Sequence, residues 1–342
     1  MAQRNTAYID KLNIGLMFVA LLPAILLPFE LFLFVYAILG PLHYLTEINW
    51  LHKKQYFTSH KYDYLGIIVF ILAVGLLVFF HSKYKFIIPI LIFITFGASL
   101  SMVLFKSIGK KLITVISCVI LGGVLFYFFR EHFRIIFSIL LPTIVHVFIF
   151  TGMFILVGAL RSNSSVALLS LITFIACSVV TFLIPPTFSF SSISEYIYGN
   201  YSSFRNINRI LMRFFSFIHV DDIRTSYTNT SYIKEGDLTL FFSDNGVRVM
   251  RFIAFAYTYH YLNWFSKTSI IQWHNTKKRN LIFIIAIWII SVLLYLYNYK
   301  TGLKWLYILS LGHVLLEFPL NFRSFIEVKK QVSLKIFNYK QS

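Results

Sequence analysis

The segment Ile135–Leu160, with the sequence IIFSILLPTIVHVFIFTGMFILVGAL, decides the fold of this chain. It contains no Asp, Glu, Lys or Arg, and it is longer than the roughly 20 apolar residues that an α-helix needs to cross a hydrocarbon core about 30 Å thick. The segment is therefore predicted to be a transmembrane helix. His146 lies in the middle of it, where an ionisable side chain is costly and usually functional.

The composition extends this interpretation to the whole chain. Hydrophobic residues make up 58% of the sequence and charged residues 13%, and the mean hydropathy is +0.74. A soluble domain is typically about half apolar and about a quarter charged. Most of the chain must then face lipid. The net charge of +18 does not indicate nucleic-acid binding, because the Lys and Arg residues separate apolar runs instead of covering a soluble module.

Runs of spanning length bounded by charge predict an all-α, polytopic transmembrane bundle of about nine spans, within a range of eight to ten. The first run contains Pro23, Pro28 and Pro41, so it is expected to be kinked or split in two. The nine runs are 14–44, 64–80, 86–105, 112–129, 135–160, 166–184, 247–265, 281–297 and 303–320.

The chain divides into three parts by polarity. Residues 1–185 hold about six spans, residues 186–246 form a polar extramembrane insertion, and residues 247–342 hold about three spans and a basic tail. Within the insertion, 204–220 has Arg205, Arg209 and Arg213 at four-residue spacing. This pattern is typical of a helix lying on a membrane surface, and an extramembrane cap helix is the alternative.

The orientation follows from the Lys and Arg residues in alternate short loops. One side collects roughly twice as many as the other, and the excess marks the cytoplasmic side. The N-terminus is therefore predicted to be external and the C-terminus cytoplasmic. The membrane is expected to be a bacterial inner membrane, and the partners are expected to be lipids and a lipid-soluble small molecule.

Four histidines lie inside predicted spans, namely His43, His146, His260 and His313. All four fall in odd-numbered spans, which run in the same direction, so they are expected at similar depths. Glu47 follows His43 by four residues and Glu317 follows His313 by four, which places each pair on one helix face. The four histidines are predicted to be metal ligands, and the two glutamates are predicted to be catalytic groups that orient the imidazoles or bind the metal themselves.

Imidazole suits Fe, Zn, Cu or Ni, and carboxylates in the outer shell orient such ligands. The predicted cofactor is a transition metal, with Fe(II) as the main candidate and haem as a second one. A structural alternative is that each histidine only hydrogen-bonds between helices. Further polar groups that could complete the site are Tyr257, Asn263, Asn321 and Arg323.

Arginines near the helix ends have two interpretations. Arg161, Arg251 and Arg323 could bind a carboxylate or phosphate, or their side chains could extend to the membrane surface. Motifs of soluble enzymes are missing from the sequence, including a phosphate-binding glycine loop, GxSxG, CxxC and HExxH.

The sequence resembles the bacterial membrane β-carotene dioxygenases found beside rhodopsin genes. The residues that carry this resemblance are GPLHYLTE around His43, HVFIF around His146 and YTYHYLNWF around His260. The resemblance implies an all-helical enzyme that holds iron through histidines on several spans. The family has a His-Gly-x-x-Asp pattern at its first histidine, where this chain has His43, Tyr44 and Glu47. It also pairs two histidines four residues apart in a later helix, where this chain has His260 and Trp264. The stretch GPLHYLTEINWLHKKQYF is also similar to multi-span proteins of Bacteroidetes.

Three functions are compatible with the sequence. The leading hypothesis is a metal-dependent membrane oxidoreductase, an iron oxygenase acting on a polyene or other lipid-soluble substrate. The second is a proton- or ion-coupled transporter that uses the same His and Glu residues as a pathway. The third is a non-enzymatic component of an envelope complex.

Overall fold

A computed structural model describes residues 2–80, 83–215, 232–267, 272 and 276–339, and this part of the chain is helical and contains no strand. The predicted all-α class is therefore confirmed. The longer helices are α1 (Ala2–Leu26), α2 (Pro28–Lys53), α3 (Tyr64–Phe79), α4 (Ile88–Leu104), α5 (Ile108–Arg134), a π-helical segment (Ile135–Phe150), α6 (Thr151–Ser162), α7 (Ser165–Leu183), α8 (Glu195–Tyr201), α9 (Arg205–Phe214), α10 (Glu235–Phe242), α11 (Asp244–Ser266), α12 (Lys278–Tyr297) and α13 (Tyr299–Tyr339). Short 3₁₀ turns lie at Gln55–Phe57, Lys83–Ile87 and Pro186–Phe188.

The chain forms two compact units that do not follow the order of the sequence. Unit 1 contains residues 1–39 and 164–267, and unit 2 contains residues 40–163 and 268–342. Each unit therefore combines two separate stretches of the chain, and the three-part division by polarity stays a prediction.

Unit 1 is organised around α11, which packs against α1, α7, α9 and α10. Almost every residue of α11 from Gly246 to Trp264 is buried. This burial includes the guanidinium-bearing side chain of Arg251, which is 0% exposed. Its Nε donates to the carbonyl of Ile25 at 3.0 Å, and its Nη1 donates to the carbonyl of Ile184 at 2.8 Å. These carbonyls lie at the C-terminal ends of α1 and α7, so one side chain satisfies acceptors that those helices leave open.

Unit 2 is organised around α13, which packs against α3, α4, α6, α12 and the π-helical segment. Its apolar core includes Val74, Ile92, Leu315 and Phe318. Gly75 allows α3 to approach α13 closely, because a Cβ at this position would lie 2.9 Å from Cδ1 of Ile308. Residues 311–319 of α13 are all buried, so the packing of this helix fixes the position of His313.

Among the described residues, seven helical stretches are long and apolar enough to cross a membrane, in agreement with a helical membrane protein. The first predicted run is split into α1 and α2 at Leu27, as its prolines indicated. The stretch Ile108–Ser162 has a non-helical residue at Phe129, which separates the fourth and fifth predicted spans. The seven stretches are Ala7–Leu26, Pro28–Lys53, Lys83–Leu104, Ile108–Ser162, Ser165–Leu183, Lys278–Tyr297 and Tyr299–Ile336.

Two predicted spans differ from this set. Tyr64–Phe79 is apolar but shorter than the others. The seventh predicted span corresponds to α11, which is helical as expected but carries Asp244, Arg248 and Arg251, so its hydropathy is lower. The total of about nine spans, the orientation of the termini and the inner-membrane location stay predictions.

The surface helix expected within the insertion is α9, and residues 216–220 of the expected segment lie outside the described residues. Its apolar residues Ile207 and Leu211 are buried, and α9 packs against α10 and α11 of the same unit. Arg205 and Arg209 both contact the buried carboxylate of Asp237. Ile207 and Leu211 of α9 therefore pack on protein, and the membrane-surface helix and the cap helix both stay predictions.

Candidate metal centre

Three of the four predicted histidine ligands meet inside unit 2. His43 lies on α2, His146 in the π-helical segment and His313 on α13, and all three are buried. One ring nitrogen from each lies within 4.8 Å of those of the other two, and this histidine triad is the one metal-ligand group found among the described residues.

The π-helical segment that carries His146 also contains Pro142, four residues earlier. Proline lacks a backbone N–H, so it cannot complete a regular α-helical turn at this point. π-helical turns are rare and often occur at functional sites. The segment aims His146 at α13, where its Nε2 lies 3.2 Å from Nε2 of His313.

The separation of these two nitrogens matches a shared metal ion. Two imidazole nitrogens bound to a tetrahedral ion at about 2.0–2.1 Å are about 3.3 Å apart. His146 and His313 already have this spacing, and the nitrogen of His43 lies within 4.8 Å of both of their nitrogens. The geometry of the triad therefore suits a small metal ion held by three imidazoles.

Each of two glutamates contacts a histidine of the triad. Oε2 of Glu47 lies 3.1 Å from Nε2 of His43, and Oε2 of Glu317 lies 2.9 Å from Nδ1 of His146. The second contact joins two different helices, whereas the sequence indicated a pairing of Glu317 with His313 on its own helix. Glu317 faces the nitrogen of His146 that points away from His313, which favours Nε2 as the metal-binding nitrogen.

The two glutamates also contact one another. The side chains of Glu47 and Glu317 are hydrogen-bonded, so the carboxyl groups from α2 and α13 form one layer beside the triad. Both side chains are buried. A carboxylate of this kind that contacts a ligating imidazole fixes the orientation of the ring and strengthens it as a ligand.

Tyr44 contributes a contact that the sequence did not predict. Its ring stacks on the imidazole of His313 with 4.1 Å between ring centroids and 24° between ring planes. The rings of His43 and His146 approach the same imidazole edge-on, at 5.4 and 5.0 Å. His313 is thereby enclosed by three rings. Tyr44 could have been noticed from its position next to His43, but its contact with a residue of α13 depends on the packing of two helices.

His260, the fourth predicted ligand, lies on α11 in unit 1. It is buried, as are Tyr257 and Asn263 on the same helix. None of these three belongs to the triad found among the described residues. The assignment of His260 as a ligand stays a prediction.

The three arginines considered for anion binding have protein partners. Arg161 donates from Nε to Glu327 at 3.0 Å, and Arg323 donates to the backbone carbonyl of Phe57. Arg251 is the buried link in unit 1. Within the described residues, each of these guanidinium groups thus has a protein partner.

Comparison with models of known protein families, with curated protein sequences and with solved structures finds no match to this chain. The resemblance to membrane β-carotene dioxygenases therefore stays a prediction. What the fold and the site define is a class: a helical membrane protein with a buried histidine triad that could hold a metal ion.

Proposed function

We propose that this chain is a metal-dependent oxidoreductase of the membrane, and specifically an iron oxygenase that acts on a polyene or another lipid-soluble substrate. The observation that carries the proposal is the histidine triad of His43, His146 and His313, buried within an apolar helix bundle. Structural metal sites usually have four protein ligands, whereas catalytic sites often have three and keep a position open for water or substrate.

The residue types support a redox metal. Imidazole ligands suit iron, copper, zinc and nickel, so iron is among the metals that the triad would fit. Glu47 and Glu317 would hold the imidazoles of His43 and His146 in place, as carboxylates do around other metal-bound histidines. Metal sites built from His and Glu on facing helices also occur in the cores of soluble bundles.

The surroundings of the triad support a lipid-soluble substrate. On α13, the buried residues that precede His313 are apolar, and they include Leu306 and Leu311. A bound iron would supply the binding and activation of dioxygen. Addition of both oxygen atoms of dioxygen across one carbon–carbon double bond, with cleavage of that bond, would yield two carbonyl products and would need no external reductant.

Metal analysis of the purified protein tests the first part of the proposal. We expect about one equivalent of a transition metal per chain after purification with iron supplied, and strong loss of that metal in His146→Ala. Less than a tenth of an equivalent in the unaltered protein would overturn the proposal. A visible absorption spectrum of the same sample would reveal haem if haem were the cofactor.

Oxygen consumption tests the second part. The iron-loaded protein in liposomes is expected to consume dioxygen when β-carotene is added, with formation of an aldehyde product. His146→Ala, prepared in the same way, is the control. If the protein retains iron but consumes no oxygen with any polyene, the metal site would be supported and the oxygenase assignment would be wrong.

One observation favours proton- or ion-coupled transport as a second candidate. Five buried ionisable side chains form a continuous series of close contacts: His313, His146, Glu317, Glu47 and His43. Connected ionisable groups within a membrane are typical of proton relays. This candidate predicts proton flux into liposomes without bound metal, and its loss in Glu317→Gln. Liposomes without flux would count against it.

A further inference from the structure

The polar residues of α13 are distributed unevenly around the histidine triad. Before His313, the buried residues of α13 are Tyr299, Gly302, Leu306, Leu311 and Gly312, none of which carries a carboxylate, imidazole or amide side chain. After His313, buried polar residues recur at helical spacing, namely Glu317, Asn321 and Ser324. Spacings of four, four and three residues keep such side chains on one side of a helix.

The helix α2 repeats this pattern. Thr46 and Glu47 follow His43 and are buried, whereas the buried residues from Phe29 to Ala37 that precede it are apolar. Because His43 contacts His313 and Glu47 contacts Glu317, the part of α2 around residues 43–47 runs in the same direction as α13. Both helices therefore place polar groups on the same side of the triad.

In this series, Oε2 of Glu317 lacks a hydrogen bond among the described residues, and Asn321 lacks one at both of its side-chain polar atoms. Its side chain is 1% exposed, and neither Oδ1 nor Nδ2 has a hydrogen-bond partner among the described residues. Burying an amide without a hydrogen-bond partner is energetically costly, so such groups almost always bind water or another polar group. The hydroxyl of Ser99 on α4 is likewise buried without a partner in the described part of unit 2.

Ser99 and Asn321 lie at the same level of unit 2. Phe96, one helical turn before Ser99, contacts Phe318 and Phe322 on either side of Asn321, at ring-centroid distances of 5.1 and 4.6 Å. Two buried polar groups on facing helices therefore lack protein partners at one depth, about 12 Å along α13 from His313.

The polar series ends at an exposed part of unit 2. Arg323, two residues after Asn321, is exposed and donates to the carbonyl of Phe57, in the 3₁₀ turn that follows α2. The neighbouring residues Lys53, Lys54 and Gln55 are exposed as well. The series thus extends from the buried triad to a polar surface.

We propose that Asn321 lines an aqueous access route that runs along α13 from the Lys53–Gln55 end of unit 2 to the histidine triad, and that a divalent cation and water reach the triad through it. The cation part of this inference rests on the proposed metal site. A buried metal site needs such a route, because a hydrated ion does not cross hydrocarbon. The carboxyl groups of Glu47 and Glu317 lie between Asn321 and the triad and would replace the water of the incoming ion.

Cysteine accessibility tests the aqueous route without requiring a metal. In a background with Cys118→Ser and Cys177→Ala, Asn321→Cys is compared with Leu306→Cys, which is also buried on α13 but lies on the apolar side of His313. In membranes, a small cationic methanethiosulfonate is expected to react at least tenfold faster at position 321. Equal rates, or faster reaction at position 306, would overturn the proposal.

Metal-loading kinetics test the cation part. With Co²⁺ as the probe, Asn321→Leu is expected to slow loading at least tenfold and to leave the affinity at equilibrium within twofold of the unaltered protein. Its melting temperature should not fall, because an unsatisfied amide is replaced by an apolar group of similar size. An unchanged loading rate would overturn the cation route. If the unaltered protein binds no metal at all, the proposed function fails, while the cysteine experiment still decides the aqueous route.

Discussion

The two central helices, α11 in unit 1 and α13 in unit 2, accommodate buried ionisable side chains in different ways. Both are buried along much of their length and both carry ionisable residues. On α11, the charge of Arg251 is satisfied by backbone carbonyls at the ends of neighbouring helices. On α13, His313 and Glu317 contact ionisable side chains from other segments, and Asn321 has no protein partner within the described chain. The difference separates a buried charge that stabilises the fold from buried polar groups that remain available to a ligand.

The largest expected effect concerns the triad. His313→Ala is expected to weaken metal binding at least a thousandfold, or by about 4 kcal/mol, because one of three ligands is lost. Competition with a chelator of known affinity measures this change. His52→Ala, at the exposed end of α2, is the matched control and should bind metal normally. Preserved affinity in His313→Ala would contradict the site.

His260 on α11 provides the sharpest comparison with this result. A loss of similar size in His260→Ala would confirm the sequence-based prediction of a fourth ligand and would remove the contrast between the two helices. An affinity within a few-fold of the unaltered protein would limit the ligands to the three histidines of unit 2.

The next effect concerns stability. Arg251→Met is expected to lower the free energy of unfolding by about 3 kcal/mol, because it removes charged hydrogen bonds and leaves buried carbonyls at the ends of α1 and α7 without a donor. Thermal or denaturant unfolding in detergent measures it. Arg248→Met, one turn earlier on α11, is the control and should cost less than about 1 kcal/mol. Metal affinity per folded chain should not change in either variant, and a large change would show that Arg251 acts on the site.

A smaller effect is expected for the carboxylate that supports the triad. Glu317→Gln should weaken metal binding about 10- to 100-fold, since loss of an outer-shell carboxylate typically has this effect. Titration of the purified variant with Co²⁺ measures the affinity. Glu327→Gln is the control on the same helix, because Glu327 pairs with Arg161 at a distance from the triad. If both variants bind metal equally well, Glu317 has no role in orienting His146.

The smallest expected effect concerns Tyr44. Tyr44→Leu removes the ring stacked on His313 and should weaken metal binding about two- to fivefold, in line with about 0.5–1 kcal/mol for an aromatic pair. Tyr44→Phe keeps the ring and should behave like the unaltered protein. The absorption bands of bound Co²⁺ should shift in the leucine variant alone; identical bands in all three proteins would show that the stacking does not position His313.

Much of the architecture was predictable from residue type and spacing. Charge-free runs such as Ile135–Leu160 predicted helices because an unpaired backbone is not tolerated in hydrocarbon, and the prolines of the first run predicted its division into α1 and α2. For α11, the helix was predicted correctly, but the predicted membrane span is not among the seven apolar stretches. Its arginines and tyrosines make it a buried helix that is absent from these stretches.

The sequence by itself determined that this is a helical membrane protein and that His43, His146 and His313 lie within its apolar segments, because hydrophobicity and local spacing are properties of contiguous residues. It also identified Glu47 and Glu317 as neighbours of the histidines. Only the tertiary structure decided that these three histidines meet, that Glu317 contacts His146 instead of His313, and that Tyr44 stacks across two helices. These contacts join positions far apart in the chain, and their existence depends on how helices pack, which local periodicity does not encode.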